Sequence, residues 1–101
     1  MRSNEGVYIP NSTYQFTDLE MAQVGKQVAH TFTIYNGHPK PVDLEANPDC
    51  GCTQLSWRRA RIPPFGQATI TASKTISKVP STVAITFRLN NGNYIFTALK
   101  Q

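Results

Sequence analysis

The feature that most constrains this chain is apolar–polar alternation, which recurs in one short run after another while helical periodicity is nearly absent. In the clearest run Val83, Ile85, Phe87 and Leu89 alternate with Ala84, Thr86 and Arg88. Successive side chains of a strand point to opposite faces, so such a run buries one face and wets the other. It meets Asn90-Asn91-Gly92-Asn93 and resumes as Tyr94-Ile95-Phe96-Thr97-Ala98-Leu99. Asn-Gly between alternating runs signals a hairpin, because both central residues of such a turn need positive φ.

Three more runs follow the same rule. Val28, His30, Phe32 and Ile34 alternate with Ala29, Thr31, Thr33 and Tyr35, and the run ends at Asn36-Gly37-His38-Pro39. Val42, Leu44 and Ala46 alternate with Asp43 and Glu45, and Ala68, Ile70 and Ala72 alternate with Thr69, Thr71 and Ser73. Tyr14-Gln15-Phe16 reads as a short strand, and the stretch from Asp18 to Gly25 accommodates a brief turn of helix. Pro39, Pro41, Pro48, Pro63, Pro64 and Pro80 are expected between strands, since proline cannot donate to a ladder. The pattern predicts an all-β fold, an immunoglobulin-like antiparallel β-sandwich of about seven short strands. At 101 residues the chain is expected to be one domain over 1–101, with 1–12 as an extended N-terminal arm.

Composition narrows the function classes. Charged residues make up 16% of the chain, below the roughly 25% of an average globular protein, which suits hydroxyl-rich sheet faces. The net charge of +4 weakly favours acidic partners. No stretch approaches the roughly 18 apolar residues of a membrane span. The N-terminal residues Met1-Arg2-Ser3-Asn4-Glu5-Gly6 lack the apolar run of a signal peptide, so a cytoplasmic or virion-associated location is expected.

The second distinctive feature is Cys50-Gly51-Cys52-Thr53. Together with Phe16, Gly25, the run from His30 to Gly37, Pro41-Val42-Asp43-Leu44 and Ile62-Pro63-Pro64-Phe65-Gly66, it resembles the DUF1573 domains. These are Ig-like modules of unknown function related to the ASPM-SPD-2-Hydin domains. Phe65 is an insertion, because the family pattern places Gly directly after Pro. The resemblance implies an Ig-like fold and carries no activity with it.

Three chemistries fit Cys50 and Cys52. They can fill the end of the core as small soft side chains. They can form a small, strained and easily reduced disulfide. Or they can serve as a redox or Cu(I) site, with His30 as the candidate third ligand. Two thiolates are too few for a closed zinc site. The segment Trp57-Arg58-Arg59-Ala60-Arg61 supplies the interface candidates Trp57, Arg58, Arg59 and Arg61, because Trp and Arg are favoured interface anchors. The same segment also reads as a charged edge strand, with Trp57 closing the core. Three arginines without an extended basic stripe do not make a nucleic-acid footprint.

No nucleophile, base and oxyanion site come together in the sequence, so the chain reads as no enzyme and as needing no cofactor. The leading expectation is a non-catalytic protein-binding or structural module. It would act as an accessory subunit of a larger assembly, either a bacterial complex or a phage virion as a decoration or cement protein. The expected partner is a protein or a second copy, with no small-molecule substrate evident. The alternative is a thiol-redox or Cu(I)-binding protein built on Cys50, Cys52 and His30.

Overall fold

The computed structural model describes residues 6–49, 51 and 53–101, and Cys50 and Cys52 therefore lie outside the described residues. Every alternating run becomes a strand. In chain order the elements are β1 (Val7–Tyr8), β2 (Thr13–Gln15), α1 (Asp18–Met21), β3 (Gln27–Asn36), β4 (Val42–Pro48), β5 (Gln54–Leu55), β6 (Arg59–Ile62), β7 (Gln67–Thr75), β8 (Thr82–Leu89) and β9 (Tyr94–Lys100).

The strands form two sheets, one in the order β1-β3-β7-β5 and the other in the order β2-β9-β8-β4-β6. Their inner faces make one core. Phe32 and Ile34 of β3 and Ile70 and Ala72 of β7 face Leu44 of β4, Ile85 and Phe87 of β8 and Leu99 of β9, all of them buried. These are the inward residues of the alternating runs, so burial of one face per strand decides which side of each sheet is the core. Phe16, just beyond β2, plugs one end.

The structure departs from the expected layout in three places. All pairings are antiparallel except β2 with β9, which is parallel. Residues 6–12 are no free arm, because Val7 is buried and β1 pairs with the end of β3. Pro48 is the last residue of β4 and stands opposite Ile85, at a strand end where a missing N–H is tolerated.

The four strands of two to four residues (β1, β2, β5 and β6) come from segments too short to show a period. In pairs they mark where the chain passes from an edge of one sheet to an edge of the other. Between β1 and β2 it passes from the edge of the first sheet to the edge of the second, and between β5 and β6 it does so on the opposite side. Asn36 fixes the loops at one end: its side-chain N–H groups donate to the carbonyls of Lys40, Ile62 and Pro63 at 2.9, 3.3 and 3.1 Å. Its Oδ1 accepts from the His38 amide at 2.9 Å.

Candidate functional site

The segment from Trp57 to Arg61 lies where the chain enters the second sheet, and β6 is an edge strand of that sheet. Trp57 is half-buried against the core. Its indole N–H donates to the Thr69 carbonyl at 2.8 Å, and its ring lies 6.2 Å from that of Phe87. It closes the side of the sandwich at which β5 gives way to β6. Arg59 and Arg61 stand opposite Glu45 and Asp43 of β4. Arg59 Nη2 donates to Glu45 Oε2 at 3.1 Å, whereas Arg61 holds Asp43 through two bonds of 2.7 and 3.2 Å. That guanidinium keeps the Asp43 carboxyl below its ordinary range. Arg58 is exposed and forms no ion pair with a described residue.

His30 sits on the inward register of β3, as its parity requires, but it does not face open core. Its imidazole stacks on the Tyr14 phenol of β2 and meets the Phe32 ring edge-on, with centroids 3.9 and 4.7 Å away. The Tyr14 hydroxyl donates to Glu20 Oε1 at 2.7 Å. Glu20 is the third helical residue of α1; its carboxylate accepts from the Thr17 amide at 2.8 Å while Thr17 Oγ1 accepts from the Glu20 amide. This reciprocal cap fixes the carboxylate, and the Thr17 amide and the Tyr14 hydroxyl together lower the Glu20 pKa. Burial lowers the His30 pKa, and the Glu20 charge pulls weakly the other way.

Tyr14 and Glu20 were not among the sequence candidates. The signal that could have found Glu20 is the Thr17-x-x-Glu20 spacing of a capping box. His30 is thus engaged by rings, and the Cu(I) reading built on it depends on Cys50 and Cys52, outside the described residues. Among the described residues no three His, Cys, Asp or Glu side chains converge.

The change of sheet between β1 and β2 has a further consequence. β1 pairs only with Tyr35 and Asn36 at the end of β3, and β2 pairs only with residues 98–100 of β9. Among the described residues, β3 from Gln27 to Thr33 therefore has a neighbour on the β7 side alone. β9 from Tyr94 to Phe96 has one on the β8 side alone, with Tyr94 and Phe96 exposed.

The ladder geometry says which backbone groups are left. The Asn36 amide donates to Gly66 and the Ile76 amide to the Lys26 carbonyl, so the even residues of β3 bond to β7. The N–H and C=O groups of Gln27, Ala29, Thr31 and Thr33 point the other way.

An immunoglobulin-like sandwich with an N-terminal strand shared between its two sheets defines the structural class, and solved structures of that class superpose on it. A C. elegans MSP family member, WR4, matches with a TM-score of 0.75 at 8% identity, over 94% of this chain and 96% of the other. PapD-like domain 7 of human CEP192 matches with a TM-score of 0.71 at 10% identity, over 99% and 86%. The Pseudomonas aeruginosa CupB2 chaperone matches with a TM-score of 0.66 at 14% identity, over 91% of this chain and 54% of its own. At these identities the likeness is one of fold. A search of curated protein sequences finds no match. The family itself is given by sequence: residues 9–97 match the protein family of unknown function DUF1573, and this chain belongs to it. No helix among the described residues is long and apolar enough to cross a membrane.

Proposed function

We propose that this chain is a non-catalytic protein-binding module and that it serves as an accessory subunit of a larger assembly, bacterial or viral. The observation that carries this reading is the pair of sheet edges that have no neighbouring strand among the described residues, at Gln27–Thr33 of β3 and Tyr94–Phe96 of β9. A row of unpaired backbone N–H and C=O groups is a template for another chain. Many binding modules use such a row, with main-chain bonds supplying affinity and side-chain pockets supplying specificity. Proteins of the same fold include a bacterial chaperone and an MSP family member, which supports a binding role without specifying a partner.

The test is native mass spectrometry of the tagged chain isolated from its host. A complex of fixed stoichiometry with another protein is expected. Recovery of the chain only as a free monomer across growth conditions would overturn the proposal.

A further inference from the structure

Of the sheet edges, the β3 lane is built differently from the rest. The edge strand β6 carries Arg59 and Arg61, with Arg58 just ahead of it, and charge along an edge discourages another strand from adding. β1, β2 and β5 are two or three residues long, too short to offer a template. The free part of β3 runs seven residues from Gln27 to Thr33, roughly 20 Å of strand, and carries no charge, no proline and no described bulge.

We infer that this lane receives an uncharged, extended segment of a partner protein, which adds to β3 as a further strand along Gln27–Thr33. The inference rests on the protein-binding reading above and names the site and the chemistry of its occupant.

Three observations define the occupant. First, the outward N–H and C=O groups of Ala29, Thr31 and Thr33 recur every second residue, and only an extended backbone presents complementary groups at that spacing. Second, a groove of about 490 Å³ lies beside the lane, with Ile9 and Pro10 on one wall and Tyr14, His30 and Phe32 below. Its rings leave room for small apolar side chains at alternate positions of the incoming strand.

Third, no Asp, Glu, Lys or Arg lines that groove. A charged segment would lose hydration there, and the nearby Glu20 carboxylate is already held by the Tyr14 hydroxyl and the Thr17 amide. The burial that lowers the His30 pKa favours the neutral imidazole and keeps the groove uncharged. On the outer face the neighbours are Ala29, Thr31 and Thr33, and Thr31 is already tied to Thr71 by a 2.8 Å hydroxyl contact. Small or hydroxyl side chains fit beside them.

A second copy offering the same stretch fits less well. Antiparallel pairing of two free lanes brings the β1 of one copy level with residues 22–26 of the other, where the chain from α1 enters β3.

Amide hydrogen exchange on the intact chain, with a probe peptide of alternating Thr and Val flanked by lysines, tests the inference. The peptide is expected to slow exchange at Ala29, Thr31 and Thr33 about tenfold. The same peptide N-methylated at alternate residues should have no effect. Thr31→Pro removes an outward N–H that β7 does not use, and it should abolish the protection. Thr31→Lys, which places a charge on the lane and demands no backbone change, should do the same if the proline variant fails to fold.

Protection confined to Tyr94 and Phe96 or to β6, protection without peptide that grows with protein concentration, or no protection at millimolar peptide would each overturn the inference. The two readings fail separately. If Thr31→Pro and Thr31→Lys both enter the native complex as the unaltered chain does, the lane is wrong and the binding module stands. If the unaltered chain enters no complex, the binding module itself is wrong.

Discussion

The imidazole of His30 lies flat against the phenol of Tyr14, with centroids 3.9 Å apart and planes 11° from parallel. The two residues belong to opposite sheets, so the stack closes the side of the sandwich that the chain leaves open when it passes from β1 to β2. Trp57, bonded to the Thr69 carbonyl, does the same on the opposite side. Each of the two passages from sheet edge to sheet edge, β1 to β2 and β5 to β6, is therefore sealed by an aromatic ring.

The His30 ring should titrate below its ordinary value of 6.5, because burial disfavours the charged form. The unfolded chain then takes up a proton more readily than the folded one. Stability from this group is complete above about pH 6.5, declines as pH falls below it, and levels off once the folded imidazole is itself protonated. Replacing Glu20 with Gln removes the charge that raises the His30 pKa, so the titration should move lower still. An NMR titration of the imidazole measures both shifts, and a folded value above 6.5 would contradict the described burial.

Asn36→Ala should destabilise the fold by about 3 kcal/mol, measured by urea unfolding. The asparagine is buried, and its removal leaves the carbonyls of Lys40, Ile62 and Pro63 and the His38 amide without the partner that joins them. A loss under about 1 kcal/mol would mean that water replaces the amide at little cost.

Phe65→Gly should stabilise the chain by about 0.5–1 kcal/mol and raise its thermal midpoint by a few degrees. Phe65 has φ of 56°, in the left-handed region, and its side chain is 72% exposed. The inserted residue therefore carries backbone strain and recovers little of it through burial. The neighbouring Gly66 cannot be changed so freely, since a Cβ there would lie 2.7 Å from Pro63 Cγ.

Arg59→Ala combined with Arg61→Ala should change the unfolding midpoint little, because exposed ion pairs contribute little to stability. The larger effect should appear in light scattering as concentration-dependent association, since the charges that protect the β6 edge are gone. Unchanged scattering would show that another feature protects that edge.

The sequence carried the long strands and their inward residues, because burial of one face imposes a period of two on each. It carried the place of the Asn90–Asn93 hairpin but not its geometry, since of its residues Gly92 alone has positive φ. It did not carry the two-residue strands β1 and β5, which are held by tertiary pairing rather than by pattern, and it placed β2 one residue late, at Tyr14–Phe16 rather than Thr13–Gln15. Lys74 shows a further limit. It shares the inward parity of Ala68, Ile70 and Ala72 and is 3% exposed, yet a lysine ends an apolar run when read by type. Its stem packs inward and its Nζ reaches Gln101 Oε1 at 2.6 Å.

Among the site candidates, the Arg segment was legible as a charged edge, and its carboxylate partners on β4 emerged only with the register. The β3 lane was invisible for a different reason. It is defined by where β1 stops pairing, and no residue in β3 records that.

The most direct measurement is amide hydrogen exchange of the free chain across β3. If the lane is unpaired, Ala29, Thr31 and Thr33 exchange quickly while Val28, His30 and Phe32, bonded to β7, exchange at least about tenfold more slowly. Uniform protection from Val28 to Thr33 in the monomer would show that the edge is covered and would contradict the account.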